Sequence, residues 1–219
     1  EHNFTLPVVS ISTDPRYLFN DTIGIYVEGI NGIIENCTTV PANWNMNWDR
    51  HAVFEYLAPS GVTNFQQDLD IRLAGNCTRR YSQKSFAIEA SKKYGLGKLN
   101  YPFFNQKKNI LKYENFFLRN SGNDNGAALL RDALIQYLPL GYMDIDYLAY
   151  EPVTFYLNGQ YWGIQDLREK IDADYIEENF GVDASDVDII QKNVYVDEGT
   201  GDAWFSYLDS LAILNPNDP

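Results

Sequence analysis

The sequence predicts an α+β fold, on the strength of three observations. Its first 90 residues contain short apolar runs between turn-forming residues, which is typical of β-strands. From residue 124 the apolar spacing changes to the helical period, over "DNGAALLRDALIQYLP". After that, Asn158-Gly159 lies between two aromatic-rich runs and predicts a tight hairpin. The order is therefore strands, a helix, a hairpin and a further helix.

Each element has its own local signal. "DLDIRL" alternates apolar and charged residues, as expected for a strand with one buried face. The first helix is predicted from Asp124 to Leu138, where Pro139 ends it, and the second, "DADYIEENFG", ends at a glycine. The predicted strands are "LPVVSI", "IGIYV", "HAVFEYL", "DLDIRL", "KSFAIEA", "EPVTFYL" and "QYWGIQDL", and a short helix is predicted in "DAWFSYLDSLAIL".

Composition excludes several classes of protein. The chain has 219 residues, of which 45% are hydrophobic and 15% aromatic, so it can form a sizeable core. Its net charge of −13 argues against general binding to nucleic acids or anionic membranes, which requires clustered basic residues. No apolar run approaches the roughly 20 residues that span a bilayer.

The two cysteines, Cys37 and Cys77, indicate one disulfide in an exported protein. The alternative is a pair of buried free thiols in a cytosolic protein. Both cysteines lie in Asn-Cys-Thr strings, which are also glycosylation signals in secretory pathways.

The common catalytic motifs are missing from the sequence. There are two histidines, no G-x-S-x-G string and no Cys/His spacing for zinc, which argues against a hydrolase triad or a zinc site. "YGLGK" lacks the strand and helix that flank a phosphate-binding loop.

Three charged residues fall where apolar neighbours are expected. Lys84 has the strand parity of Phe86 and Ile88, so we expect it to point inwards and to need an anionic partner. Arg131 lies on the inward face of the predicted helix, and Glu169 ends the hairpin as the natural third member of a polar cluster. The alternative for Lys84 and Arg131 is that the aliphatic part of the side chain packs on the surface while the charged group stays in water. The alternative for Glu169 is a solvated carboxylate at the end of a strand.

The order of these elements is that of the small lobe of a protein kinase, in which a strand lysine is followed by a helix and two strands that lead to a hinge. Lys84 would be the strand lysine and "LREKID" the hinge. A Gly-rich loop before the lysine strand and an inward glutamate on the helix are both missing.

Five segments resemble the CotH family of spore-coat-type atypical kinases. They are "LPVVSISTD", "NWDRHAVFEYL", "GNCTRRYSQKSFAIEA", "LLRDAL" and "YLNGQYWGIQDLREKIDADYIEENFG". The similarity runs from about Leu6 to about Asp209. It implies a kinase-like fold that binds ATP with Mg²⁺ or Mn²⁺ and, in some members, phosphorylates secreted proteins.

The resemblance also implies roles for individual residues. Arg79 and Lys84 match the basic strand motif of the family, Arg131 its helix arginine and Glu169 its hairpin-end glutamate. These four residues are the expected nucleotide-binding set. The catalytic aspartate and the metal-binding Asp-x-Asp motif of the family are expected beyond Pro219, so no catalytic or metal-binding residue is assigned within this chain.

The predicted organisation is a small-lobe region with hinge and following helix over residues 1–181, and an acidic start of a second lobe or a linker over 182–219. The predicted function is that of the nucleotide-facing part of an exported kinase, inactive on its own. The rival is a non-catalytic surface protein that binds a glycan or a protein partner. It is suggested by 32 aromatic residues and a loop that carries Trp44 and Trp48.

Overall fold

Seven strands form a closed barrel in the order β1-β2-β3-β4-β5-β7-β6. The computed structural model of the chain describes residues 4–192 and 194–213. All neighbouring strands are antiparallel except β1 and β6, which pair in parallel and close the barrel. The strands are β1 (Val8–Ser12), β2 (Arg50–Leu57), β3 (Thr63–Ala74), β4 (Ser85–Glu89), β5 (Asn115–Arg119), β6 (Tyr150–Leu157) and β7 (Gln160–Arg168). Two short helices accompany them, α1 (Pro15–Phe19) and α2 (Arg131–Tyr137).

The barrel interior is filled mainly by aromatic and aliphatic side chains. Every second residue of β2 from Ala52 is buried, as the two-residue period of a strand requires. Phe103 lies at the centre of an aromatic cluster, with its ring centroid 5.0 Å from that of Phe116 and 5.1 Å from that of Phe65. Most of these rings meet edge to face, an arrangement that adds to the gain from burial.

The predicted hairpin is confirmed. Asn158 and Gly159 have φ values of 50° and 76°, the left-handed conformation that a tight two-residue turn requires. The backbone NH of Asn158 donates to the carbonyl of Ile11 at 2.8 Å, and the side-chain Oδ1 of Asn158 accepts from the NH of Thr13 at 2.8 Å. The turn is therefore fixed to the end of β1.

The strand predicted in "IGIYV" is wrong. Ile23 lies in a turn and residues 25–27 form a bend, and the NH groups of Ile25 and Tyr26 donate to the carbonyls of Tyr17 and Leu18. Ile25 and Tyr26 are buried in the same core cluster as Leu18 of α1, which explains these apolar residues without a strand.

The first predicted helix is much shorter than expected. It begins at Arg131 instead of Asp124, since Gly126 and Leu129 have φ values of 82° and 66° that interrupt a right-handed helix. A 3₁₀ turn, Gly122–Asp124, occupies the start of the predicted range.

The elements after β7 are α3 (Ala173–Phe180), β8 (Ile189–Gln191), β9 (Tyr195–Glu198) and α4 (Asp202–Ala212). In α3 the cap is Asp172, which accepts from the NH of Tyr175 at 2.9 Å, and Gly181 ends the helix with a φ of 71°. The short helix predicted in "DAWFSYLDSLAIL" is confirmed as α4. Leu214 and the linker-like end "NPNDP" lie outside the described residues.

The chain divides into two compact units, Glu1–Lys170 and Ile171–Pro219. The α+β class with a mostly antiparallel sheet is confirmed. The closer likeness to a kinase small lobe, and the division into lobes at residue 181, stay predictions. In the described part of the chain, no helix has the length and apolar character needed to cross a membrane.

We expect Phe103→Ala to lower the free energy of unfolding by about 3–5 kcal/mol, because it leaves a cavity at the centre of the aromatic cluster. Denaturant unfolding followed by circular dichroism measures this change. Tyr142→Ala is the control, because Tyr142 is 91% exposed. Similar losses in both variants would contradict the central place of Phe103 in the core.

Candidate functional site

Lys84 lies immediately before β4, and only 3% of it is exposed. Its backbone is fixed on both sides. The NH donates to the hydroxyl of Tyr26 at 3.0 Å, and the carbonyl accepts from the side-chain amide of Gln165 at 3.0 Å. Lys84 is buried as expected, but it lies outside β4 and both faces of that strand are buried, so its burial does not test the strand parity.

The ammonium of Lys84 is surrounded by carbonyl groups and aromatic rings. Its Nζ donates to the carbonyls of Arg79 and Tyr81, the second at 2.9 Å. It also lies 4.3 Å from the ring centroid of Trp44 and 5.2 Å from that of Tyr26, within cation–π range. We call these four groups the Lys84 cage.

The anionic partner expected for Lys84 is not among the described residues. Burial lowers the pKa of the Lys84 amine to about 8, since removal from water disfavours the charged form. The cage holds the charge through dipoles and rings alone, so an incoming anion would meet an amine that no carboxylate neutralises.

Arg79 is committed to contacts with its own chain. Its guanidinium donates to the carbonyl of Gly75 at 2.7 Å, to those of Trp44 and Asn45 at 3.3 Å each, and to the side chain of Asn47. These bonds tie the 3₁₀ turn Cys77–Arg80 to the Asn-rich loop that carries Trp44. The predicted nucleotide contact of Arg79 remains a prediction, and would require some of these bonds to break.

The predicted disulfide is confirmed. It joins Cys37 to Cys77, with the two Cα atoms 5.0 Å apart. On the loop side, buried side-chain amides of Asn43 and Asn45 bond backbone carbonyls, for example from Asn45 to Ile33 at 2.9 Å. The disulfide thus connects an internally bonded loop to the turn whose carbonyl groups hold Lys84.

Glu169 is buried and pairs with Lys107, with Oε2 and Nζ 2.7 Å apart. The same oxygen accepts from the NH of Ala149 at 2.7 Å, and Lys107 also donates to the carbonyl of Tyr147 at 2.8 Å. The expectation that Glu169 joins Lys84 in one polar cluster finds no direct contact in the structure, because Lys107 occupies the partner position.

The inward position predicted for Arg131 is wrong. Its side chain is 64% exposed, and its Nη2 lies 3.2 Å from Oδ1 of Asp124. Since α2 begins at Arg131, the helical phase inferred from Asp124 does not apply. The one buried residue of α2 is Ala133. A nucleotide contact of Arg131 remains a prediction.

Asp132 at the start of α2 faces two arginines of the barrel. Its Oδ2 lies 2.7 Å from Nη1 of Arg119 and 3.2 Å from Nη2 of Arg168, a residue only 3% exposed. Burial also raises the pKa of the nearby Asp166 carboxyl to about 6. These ion pairs attach α2 to β5 and β7.

An open groove of about 280 Å³ lies beside Lys84 in the chain. Ser82 and Gln83 form one wall, and Tyr161, Trp162 and Gly163 the other. The hydroxyl of Tyr26 connects the groove to the cage, since it donates to the carbonyl of Ser82 at 2.8 Å and accepts from Nε1 of Trp162 at 2.9 Å. A ligand in this groove would lie close to the residue that precedes β4.

Within the described ranges, 4–192 and 194–213, no three or more His, Cys, Asp or Glu residues lie close enough together to hold a metal ion.

Sequence reasoning did not identify Lys107 or Tyr26 as site residues. Lys107 follows "PFFNQ" in an irregular segment, so neither the helical nor the strand spacing of apolar residues marks it as buried. Tyr26 lies in the run that was predicted as a strand. Trp44 was noted only as a loop anchor, because its contact with Lys84 spans 40 residues of chain.

We expect Lys107→Met to lower the free energy of unfolding by about 3–5 kcal/mol, because it leaves the carboxylate of Glu169 buried without its cation. The adjacent, exposed Lys108→Met is the matched control and should change stability little. Equal effects of the two substitutions would show that the buried pair contributes nothing specific.

We expect the stability of the wild type to rise with pH relative to Lys84→Met. Between pH 8 and about 10 the folded chain holds the amine neutral while the unfolded chain still binds the proton, since the ordinary value is 10.5. From pH 8 to about 9.5 the free energy of unfolding of the wild type should increase by about 2 kcal/mol relative to that of Lys84→Met. Chemical denaturation at several pH values measures it, and parallel curves for the two proteins would contradict a lowered pKa of Lys84.

Comparison with known proteins identifies one family. The CotH kinase protein family matches residues 71–210, nearly two thirds of the chain, from within β3 to within α4. No curated protein matches the chain. The matched range contains Arg79, Lys84, Arg131 and Glu169. It also covers β4 to β7 and the elements after β7, the last of them in part. The chain belongs to the CotH family.

Proposed function

We propose that this chain is the amino-terminal, nucleotide-facing part of an exported CotH-like atypical kinase. The full-length protein would transfer a phosphoryl group from ATP, and this part alone would be inactive. Membership of the CotH family supports a kinase function. The disulfide between Cys37 and Cys77 supports export, since disulfides persist in oxidising compartments.

The Lys84 ammonium is the observation that carries the proposal. It is a cation without a carboxylate partner among the described residues. Its residue directly precedes a barrel strand, and an open groove lies beside the preceding residues, Ser82 and Gln83. A phosphate of the nucleotide would supply the missing anion and form charge-assisted hydrogen bonds with Nζ. A kinase small lobe uses its strand lysine in this way.

The other residues of the expected set would act around Lys84. Arg79 would hold the turn that precedes the lysine, and on release would add a second cation. Glu169 would keep the end of β7 in place through Lys107. A divalent cation, Mg²⁺ or Mn²⁺, would neutralise phosphate charge when bound with ATP.

The test is a calorimetric titration of the full-length protein with ATP and Mg²⁺ or Mn²⁺, together with a phosphorylation assay. Lys84→Ala should weaken nucleotide binding about tenfold or more and abolish transfer, because it removes a charge-assisted contact. Lys112→Ala, at an exposed lysine, should match the wild type.

Unchanged transfer in Lys84→Ala would remove this residue from the mechanism. A wild-type protein that binds no nucleotide, but binds an oligosaccharide or a protein, would replace the proposal with the non-catalytic alternative.

A further inference from the structure

The Lys84 cage is built from two different parts of the first unit. Tyr26 follows α1, and its hydroxyl also bonds the backbone of Lys84. Trp44 belongs instead to the Asn-rich loop. Arg79 belongs to the 3₁₀ turn Cys77–Arg80, and Tyr81 directly follows that turn. We call these two segments together the cap: the loop that carries Cys37 and Trp44, and the turn from Cys77 to Tyr81. Three of the four cage groups therefore come from the cap and not from a barrel strand.

Two independent connections hold the cap together. The guanidinium of Arg79 donates to the carbonyls of Trp44 and Asn45, and the disulfide joins Cys37 to Cys77. The backbone around Trp44 is further fixed because Asn43 and Asn45 are almost completely buried. The amide of Asn45 bonds carbonyls of the same loop, and that of Asn43 bonds carbonyls of the segment that follows α1. The ring of Trp44 is thus held above an amine that lies in another part of the sequence.

With the cap closed, Lys84 cannot reach a ligand. Only 3% of the residue is exposed, and two of its three N–H donors are used by cap carbonyls. A phosphate in the groove beside Ser82 and Gln83 would meet the backbone near Lys84, but not its ammonium. Movement of the cap is therefore needed before this lysine can pair with an anion.

We propose that Trp44 is a positioning residue that keeps the Lys84 ammonium sequestered, and that the Cys37–Cys77 disulfide keeps Trp44 in place, so that Lys84 becomes available to a phosphate only when the cap opens. The availability to phosphate rests on the proposed function, whereas the sequestration does not.

Reduction of the disulfide is one way to open the cap. A dithiol reductant donates two electrons and two protons, so the bond between the sulfurs breaks, Cys37 and Cys77 become thiols and the reductant becomes a cyclic disulfide. Arg79 then remains as the other connection between the turn and the loop. We expect reduction to loosen the cap without unfolding the barrel, whose strands contain neither cysteine.

The test measures the chemical reactivity of Lys84 in the folded protein. Acetic anhydride acetylates a neutral amine, with formation of an amide bond, loss of acetate and release of the amine proton. Mass spectrometry of the Lys84 peptide over a range of pH then gives the pKa of this amine and its limiting rate. In Trp44→Leu we expect the pKa to rise by about one unit, because water reaches the charge, and the limiting rate to increase. The reduced wild type and Cys37→Ser/Cys77→Ser should change in the same direction.

Trp48→Leu is the matched control. Trp48 belongs to the same loop and packs on the core, but its cation–π partner is Arg50, whose Cζ lies 4.9 Å from the ring centroid. Lys84 should react in this variant as in the wild type. Buried Lys107 monitors the fold, because it should stay protected wherever the barrel is intact. If Lys107 reacts in Trp44→Leu, the milder Trp44→Phe takes its place.

The proposal is overturned if Lys84 keeps its wild-type pKa and reaction rate in Trp44→Leu while Lys107 stays protected. It is also overturned if Trp48→Leu changes the reactivity of Lys84 as much as Trp44→Leu does. Titration of the same full-length proteins with ATP and Mg²⁺ separates the two proposals. Tighter binding after the cap is loosened supports both, whereas a reactive Lys84 without nucleotide binding leaves the sequestration standing and rejects the nucleotide function.

Discussion

The parallel pairing of β1 with β6 is the interaction on which the first unit depends. β1 has β2 on one side and β6 on the other, from Val8 opposite Thr154 to Ile11 opposite Leu157. Without this pairing the sheet would have two free edges, whose unpaired backbone groups invite association with other chains. Closure also creates an interior on which every second strand residue converges. A charged side chain that enters this interior from a loop must therefore find its partners there.

Lys84, Lys107 and Arg168 show three solutions to the problem of a buried cation. Lys107 pairs with the carboxylate of Glu169, and Arg168 faces Asp132 at the start of α2. Lys84 has carbonyls and rings instead, which stabilise an ammonium less than a carboxylate does, and its amine shows a lowered pKa. Arg168 is also incompletely compensated, since burial lowers its pKa and its Nε and Nη2 make no hydrogen bond. Lys84 differs from the other two cations because no carboxylate of the described residues lies beside its ammonium.

Local signals predicted much of the fold, but few of the contacts at the site. Asn158-Gly159 specified the hairpin because the turn conformation depends on those two residues alone. The prediction of a helix from Asp124 failed because Gly126 and Leu129 adopt the left-handed conformation, which for Leu129 is one that its side chain disfavours and no local signal indicates. The pair of Lys107 and Glu169 joins residues 62 positions apart, and no periodicity encodes such a contact. Lys84 is buried as predicted, although residues of both parities in β4 are buried, and its partners depended on how a distant loop folds back.

The buried cations have a consequence for long-range electrostatics. The chain carries a net charge of −13, and three of its positive groups are hidden, so the field around the molecule is strongly negative. A free polyanion is repelled by such a field once it comes within about a Debye length, some 8–10 Å at physiological ionic strength, because the repulsion is screened at larger distances. A nucleotide already complexed with a divalent cation carries less negative charge and approaches more readily. For the proposed nucleotide ligand, the acidic surface would therefore favour the metal-bound form over the free form.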